Sequence, residues 1–271
     1  MRRPVVAGRF YPADKKELED SIRSCFLHNL GPGLPLSAGN ERKISAAISP
    51  HAGYMASGMN AAHVFKRILE DGLPEAYIII GPDHVGVPFK AVMCDEPFLT
   101  PLGQCKIHEE LASKLSKKIP CNCSAHKYEH SLEVQIPFLQ FIDKDPKIVP
   151  IIMSDQSKGA AEKLASSLKE ACEGRDVIVI ASSDMAHYIP KGDALILNSM
   201  VLERIVRKDI DGMYSVIEEN DISVCGFGPM ATAMLFSEPS TIEVLKYSDS
   251  WDSLRYDISS VVGYGAAVMY K

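Results

Sequence analysis

The sequence predicts an α/β fold: a single three-layer domain over residues 1–271, in which a mixed, mostly parallel sheet is flanked by helices. Several short segments are almost continuously apolar, which is typical of strands that are buried on both faces of a parallel sheet. Helical patterns lie between most of these segments, and this alternation favours a layered α/β structure. The composition, with 46% hydrophobic and 24% charged residues, is that of an ordinary globular protein.

The predicted core strands come from four continuous apolar segments. They are Ile44 to Ile48, Ala76 to Ile80, Ile148 to Met153 and Val177 to Ala181. Two C-terminal segments, Glu243 to Tyr247 and Ser259 to Tyr270, also have strand character. We expect these two to extend the same sheet, with an antiparallel orientation as an open alternative.

The predicted helices follow from apolar residues at helical spacing. The first runs from about Asp14 to His28, and the Asp14 side chain is suited to cap its start. A segment rich in Gly, Pro and Ser, Asn29 to Asn40, then separates this helix from the first core strand. The other helical patterns are Ser57 to Leu69, Glu162 to Cys172, Ala194 to Val206 and Pro229 to Phe236.

The charge balance and the apolar content exclude several classes of protein. Asp and Glu total 35 against 29 Lys and Arg, so the net charge of -6 argues against a nucleic-acid partner. No stretch is long enough to span a bilayer, and the N-terminal apolar run is too short for a signal peptide. We therefore expect a cytoplasmic protein that has no membrane partner.

The seven cysteines are interpreted as reduced thiols rather than a disulfide framework, because their number is odd and no export signal precedes them. Most are expected to be small buried side chains or loop residues. The pair in the sequence CNC has only one residue between its thiols, which is too few for a usual metal-binding pair. The residues expected to be buried are Cys25, Cys94 and Cys172, and those expected in a loop are Cys121 and Cys123. Cys105 is not assigned.

A histidine follows each of three predicted core strands. His51 lies in SPHAGY, His84 in GPDH, and His187 in SSDMAHY together with Asp184. Ligands of open α/β sheets bind beyond the carboxyl ends of the strands, so parallel strands would bring these side chains to one rim. Imidazole is a common metal ligand and the usual general base near neutral pH, so this rim is a candidate chemical site.

Two further segments carry candidate residues. In EHSLEVQIPFL, His130 and Glu133 have i, i+3 spacing, which predicts that they share one face of a helix. The alternative is that His130 braces its helix while Glu129 and Glu133 are solvated. In VCGFGP, Cys225 precedes a helical pattern, whose dipole and free amides would stabilise a thiolate ligand or nucleophile. The alternative for Cys225 is a small buried side chain.

Other common catalytic motifs are missing. No GxGxxG follows a strand, and neither GxxxxGK[ST] nor GxSxG occurs. Dinucleotide-binding, P-loop and α/β-hydrolase functions therefore lack their key residues. Ser49, Ser182 and Ser183 lie beside the histidines, but serine is also common as a cap at strand ends.

The motifs together resemble those of the Memo family. The matching segments are AGRFYPAD, ISPHAGY, IIIGPDH, EHSLEVQIPF, IASSDMAHY, VCGFGP and VGYGAAVMY, and they span nearly the whole chain. The fold of that family is similar to that of class III extradiol dioxygenases, which are non-haem iron enzymes. The resemblance implies the same α/β architecture for this chain.

The resemblance also implies roles for six residues. His51 and His84 would be metal ligands, and Cys225 would take the third ligand position, where the dioxygenases have a carboxylate. His187 would be the acid/base histidine. Asp184 and His130 would line the same cavity, with Asp184 orienting or supporting a histidine.

The function implied is that of a redox protein with one transition-metal ion, iron or copper, with zinc as a further option. Its substrate would be a small molecule or peptide bound in the pocket at the strand ends, and a radical-SAM protein would be a partner. Two alternatives stay open at this point: a zinc-dependent hydrolase, and a metal-independent module that binds a peptide or protein.

Overall fold

A ten-stranded sheet forms the centre of the computed structural model, which describes residues 1–271. The strands in chain order are β1 (Ile44–Ser49), β2 (Ala76–Pro82), β3 (Ala91–Met93), β4 (Phe98–Thr100), β5 (Gly103–Ile107), β6 (Lys147–Met153), β7 (Val177–Ser182), β8 (His187–Ile189), β9 (Thr241–Asp249) and β10 (Val261–Tyr270). Strands β6, β2, β7 and β1 are adjacent in that order and mutually parallel. These four are the core strands that the apolar segments predict.

Antiparallel strands extend this parallel centre on both sides. Strand β10 pairs antiparallel with β1, β8 and β9, so the two C-terminal strands join the same sheet as expected. On the other side, β5 continues the parallel order, whereas β3 pairs antiparallel with β6 and β4 with β5. The predicted α/β fold with a mixed, mostly parallel sheet is confirmed.

Helices flank the sheet. They are α1 (Lys15–Leu27), α2 (Tyr54–Asp71), α3 (Glu109–Leu115), α4 (Ile136–Ile142), α5 (Lys158–Ala171), α6 (Lys191–Val206), α7 (Ile210–Glu219), α8 (Phe227–Ser237) and α9 (Ser250–Leu254). The Asp14 side chain accepts hydrogen bonds from the amides of Lys16 and Glu17, so it caps α1 as predicted. Helix α2 packs on α1, α4, β1 and β10, while α8 packs on α5, β1 and β7. No helix combines the length and the apolar character needed to cross a membrane.

Complete burial explains why the core strands are mostly apolar. All residues of β1, β2 and β7 are buried, and Ile78, Ile79 and Ile80 have no exposed surface. Because both faces of these strands are covered, polar side chains become useful only where each strand ends. The carboxyl ends of β1, β2 and β7 are therefore where the candidate functional residues are expected.

The structure corrects the expectation that all seven cysteines are free thiols. Cys94 and Cys123 form a disulfide, and the other five cysteines are free. The segment around Cys121 forms a β-bridge with Met93 at the end of β3, which brings Cys123 alongside Cys94. The two cysteines are 29 residues apart in sequence, and such spacing carries no pairing signal on its own.

Alkylation of the denatured, unreduced protein should therefore modify five cysteines, and reduction beforehand should raise the number to seven. Mass spectrometry of the intact protein counts the modified thiols. The matched control is Cys123→Ser, which leaves Cys94 without a partner and should give six modified cysteines without reduction. Modification of all seven wild-type cysteines without reduction would contradict the disulfide.

Candidate metal centre

Three of the predicted residues converge beyond the ends of the parallel strands. His51 follows β1, His84 follows β2, and Cys225 lies two residues before α8. One ligand atom from each of these side chains lies within 4.8 Å of the other two. His51 Nε2 is 3.3 Å from Cys225 Sγ, and the His51 and His84 ring centroids are 5.1 Å apart. Two nitrogen donors and one sulfur donor therefore face the same small volume.

His84 is oriented by the buried carboxylate of Glu129. Glu129 Oε1 accepts a hydrogen bond from His84 Nδ1 at 2.9 Å, and Oε2 accepts one from the His84 amide at 2.7 Å. Burial opposes the charge on Glu129, but the interactions with His84 and the Ser131 amide lower the pKa of this carboxyl to about 2. Since an ionised carboxylate only accepts hydrogen bonds, His84 Nδ1 carries a proton, and in the neutral ring Nε2 keeps its lone pair. This carboxylate–histidine pair is the arrangement that usually orients a metal-ligating imidazole.

His51 is fully buried and neutral. Its Nδ1 lies 3.0 Å from Ser182 Oγ at the end of β7, and its amide donates to Asp184 Oδ1 at 2.8 Å. Burial, reinforced by the neighbouring His84 and His130, holds the pKa of His51 well below its usual range. A neutral imidazole is the form that binds metal ions.

Cys225 is held against the loop that follows β7. Its Sγ accepts a hydrogen bond from the Asp184 amide at 3.1 Å. A Cβ on the next residue, Gly226, would lie 2.5 Å from the Ser182 carbonyl oxygen and 2.6 Å from Ser183 Cβ. This close approach of two backbones requires glycine at position 226.

Burial of Cys225 acts against the thiolate that the start of α8 is expected to stabilise. Burial, followed by the nearby Asp184 carboxylate, raises the pKa of the Cys225 thiol. Desolvation of a charged sulfur thus outweighs the amides at the start of the helix.

Asp184 lies at the same rim, but it does not contact an imidazole nitrogen. It is 4% exposed, and burial raises the pKa of its carboxyl to about 6. Its Oδ1 accepts a hydrogen bond from the His51 backbone amide, so it supports the SPHAGY loop rather than orienting a histidine ring.

His187 and His130 take different positions around the three converging residues. His187 is half-buried, and its Nδ1 lies 2.7 Å from the Ser223 carbonyl oxygen, to which it donates. In the neutral ring, Nε2 then keeps a lone pair. The His130 ring centroid is 4.6 Å from that of His84 and 5.6 Å from that of His51, and burial lowers the pKa of His130. His130 thus forms a wall beside both candidate imidazole ligands.

The predicted pairing of His130 and Glu133 on one helix face is wrong, and so is the alternative of a solvated face. Glu129 and Glu133 are 1% and 0% exposed. His130 precedes a 3-10 turn (Glu133–Gln135) and is not part of a helix. Glu133 instead pairs with Arg2 and accepts a hydrogen bond from the Tyr11 hydroxyl at 2.6 Å.

Residues that orient the candidate ligands are mostly absent from the sequence predictions. Glu129 precedes the candidate His130 but has no assigned role, Ser182 has no special mark among the serines, and Gln135 carries no signal at all. The one signal in the sequence that points to Glu129 and Gln135 is that they belong to the same EHSLEVQIPF motif as His130.

Comparison with known proteins finds matches over nearly the whole chain. A family model described as Memo-like protein matches residues 2–268. The chain belongs to the Memo family. Related Memo-family chains include a MEMO1 family protein of Sulfurisphaera tokodaii, 40% identical over 277 residues and covering 97% of each chain. A MEMO1 family protein of Ignicoccus hospitalis is 43% identical over 278 residues, covering 98% of this chain and 97% of the relative.

A solved structure shows the same fold as this Memo-family chain. The crystal structure of an uncharacterized protein, JW3007, from Escherichia coli K12 matches with a TM-score of 0.57 at 10% sequence identity. The match covers 83% of this chain and 100% of the other. At this identity the similarity concerns the fold alone.

The donor set of this Memo-family chain fits a transition-metal ion. Two imidazole nitrogens and one sulfur converge, and both histidines have hydrogen-bond partners on the opposite ring nitrogen. Imidazole and thiolate ligands suit zinc, copper and iron, whereas magnesium and calcium prefer oxygen. A second group, His84 with Glu129 and His130, also brings ligand atoms within 4.8 Å, but Glu129 already accepts bonds from His84 and Ser131.

Proposed function

We propose that this chain is a metal-dependent redox protein with one non-haem iron or copper ion held by His51, His84 and Cys225. The observation that supports this proposal is the convergence of their ligand atoms within 4.8 Å at the ends of the parallel strands. Three protein ligands leave coordination positions open for a substrate, which is the pattern of catalytic rather than structural sites. The metal would supply Lewis-acid and electron-transfer chemistry when bound.

The surrounding residues supply proton transfer and support. His187, fixed by the Ser223 carbonyl, can hold or release a proton at Nε2. His130 lines the centre and offers a further neutral imidazole. The Asp184 side chain accepts a hydrogen bond from the His51 amide, and the Asp184 amide donates one to Cys225 Sγ. Asp184 therefore holds both loops in place.

A cleft beside this centre is the proposed substrate site. It has a volume of about 840 Å³ and is lined by the AGRFYPAD segment and by the start of α2. Phe10 lines this cleft and also packs edge-on against the His130 ring, with centroids 5.0 Å apart. A small molecule or a peptide side chain in the cleft would therefore be separated from His130 by the ring of Phe10.

The direct test is metal binding to protein prepared without metal. We expect wild-type protein to bind one equivalent of Fe(II) or Cu(I) under anaerobic conditions, measured by elemental analysis after desalting. His51→Ala and Cys225→Ala should each weaken binding by roughly 100-fold or more, beyond the 10- to 100-fold cost of losing an outer hydrogen-bond partner. His28→Ala and Cys121→Ala remove the same donor types outside the site and should bind like wild type.

The other outcomes would overturn the redox proposal. Equal metal content in all variants would reject the ligand assignment. Selective retention of zinc, without any electron transfer to or from the loaded protein, would favour a zinc-dependent hydrolase. A tight peptide complex that survives both metal removal and His51→Ala would favour a binding module.

A further inference from the structure

The hydroxyl of Ser182 connects His51 to the EHSLEVQIPF segment. Ser182 Oγ lies 2.7 Å from the Ser131 carbonyl oxygen, 2.9 Å from Gln135 Nε2 and 3.0 Å from His51 Nδ1. The four residues are buried, with at most 2% of any of them exposed. Water molecules from the solvent therefore do not compete for these hydrogen bonds.

The chemistry of these groups determines which atom carries each hydrogen. A serine hydroxyl has one hydrogen to donate and two lone pairs to accept with. The Ser131 carbonyl can only accept, so it receives the Ser182 hydrogen. The Gln135 amide nitrogen can only donate, and it takes one of the two lone pairs.

The orientation of the Gln135 amide is itself fixed. Gln135 Nε2 also lies 2.9 Å from the Pro50 carbonyl oxygen, which accepts hydrogen bonds only. Exchanging the amide oxygen and nitrogen would place two acceptors against each other at that contact. The remaining lone pair of Ser182 therefore faces His51 Nδ1, which must carry a hydrogen.

We propose that Ser182, held by Ser131 and Gln135, is a positioning residue that fixes His51 in the Nδ1–H tautomer and so directs the Nε2 lone pair toward the metal position. This inference deepens the proposed function and rests on it for the metal. The geometry agrees, because His51 Nε2 is the ring atom that lies 3.3 Å from Cys225 Sγ.

One chain segment thereby orients both imidazole ligands, by different chemistry. Glu129 receives the His84 Nδ1 hydrogen on an ionised carboxylate, while Ser131 and Gln135 act on His51 through the neutral Ser182 hydroxyl. A carboxylate partner raises the basicity of a ligating imidazole more than a neutral hydroxyl does. His84 is therefore the more basic of the two nitrogen donors.

Nitrogen-15 NMR of histidine-labelled, metal-free protein tests the proposal directly, because the pattern of ring signals distinguishes Nδ1–H from Nε2–H. Comparison with His51→Gln assigns the signals of His51. We expect wild-type His51 to be entirely in the Nδ1–H form. In Ser182→Ala, the acceptor is lost and we expect the Nε2–H form of His51 to appear, while the His84 signals keep their wild-type pattern.

Metal affinity gives the second readout. Zn(II) affinity, measured by competition with a chelator, should fall 10- to 100-fold in Ser182→Ala, as for other partners of ligating histidines. The matched control is Ser45→Ala, which removes a buried hydroxyl from β1 that bonds the Met269 carbonyl, away from the site. Its affinity and its His51 signals should equal those of the wild type.

Two results would overturn the proposal. An Nε2–H signal for His51 in the wild-type protein would do so without any variant, even if Ser182→Ala failed to fold. An unchanged His51 tautomer in a folded Ser182→Ala protein would do so as well. Failure of wild-type protein to bind any metal would reject the proposed function instead, and the tautomer measurement on metal-free protein would still stand.

Discussion

Replacing Arg2 by methionine is expected to lower the free energy of unfolding by about 3 to 5 kcal/mol, because the change leaves a buried carboxylate without its cation. Arg2 pairs with Glu133, and both side chains are almost completely inaccessible to solvent. The guanidinium also donates to the carbonyl oxygens of His126 at 3.0 Å and Glu129 at 2.6 Å. The amides of Val5 and Val6 and the Tyr11 hydroxyl donate to Glu133, but they cannot neutralise its charge.

Urea denaturation measures this loss of stability. Arg3→Met is the matched control, because Arg3 is exposed and its replacement should change the free energy of unfolding by less than about 0.5 kcal/mol. The double variant Arg2→Met/Glu133→Gln should recover part of the loss, since the neutral amide no longer buries an unpaired charge. If Arg2→Met lowers the free energy of unfolding by less than about 1 kcal/mol, the cation of Arg2 is not needed to stabilise the buried Glu133 carboxylate.

Lowering the pH from 7 to 5 is expected to cost about 2 kcal/mol of stability through His126 alone. His126 has no exposed surface; its Nε2 lies 3.1 Å from the Val92 carbonyl oxygen, and its Nδ1 has no hydrogen-bond partner. Burial lowers the pKa of His126 to about 4, against about 6.5 for an unfolded chain. Between these values the unfolded state binds more protons, so this stability is present above about pH 6.5 and is lost as the pH falls toward 4.

The comparison that isolates His126 is with His126→Gln, which keeps an amide nitrogen for the Val92 carbonyl but does not titrate. The drop in the free energy of unfolding between pH 7 and pH 5 should be about 2 kcal/mol smaller in this variant than in the wild type. His28→Gln alters an exposed histidine and should preserve the wild-type drop. The same pH dependence in wild type and His126→Gln would contradict a neutral, buried His126.

The parallel core was predictable because burial on both faces leaves a clear mark in the sequence. Strands β1, β2, β6 and β7 each contain their predicted segment and extend it by no more than two residues. Strands β3 and β4 have three residues each, too few to show a period, and they were missed. Helix α7 was missed as well, although Asp209 caps it by accepting a hydrogen bond from the Gly212 amide.

The candidate ligands were more predictable than the residues that orient them. Parallel topology alone brings residues after β1 and β2 together, so His51 and His84 follow from the strand pattern. Glu129 and Ser182 act through hydrogen bonds between residues 45 and 131 positions apart, and nothing local in the sequence encodes such distances. The assignment of the chain to one domain, its cytoplasmic location and a radical-SAM partner stay predictions.

Gly226, next to the proposed sulfur ligand Cys225, has a consequence for protein engineering. A library that randomises position 226 should return glycine almost exclusively, since any larger residue would force the strand-end backbone and the cysteine loop apart. Positions 129 and 182 offer a better starting point. Changing the hydrogen-bond acceptor at position 129 would alter the basicity of His84, and changing it at position 182 would alter that of His51, without moving the backbone.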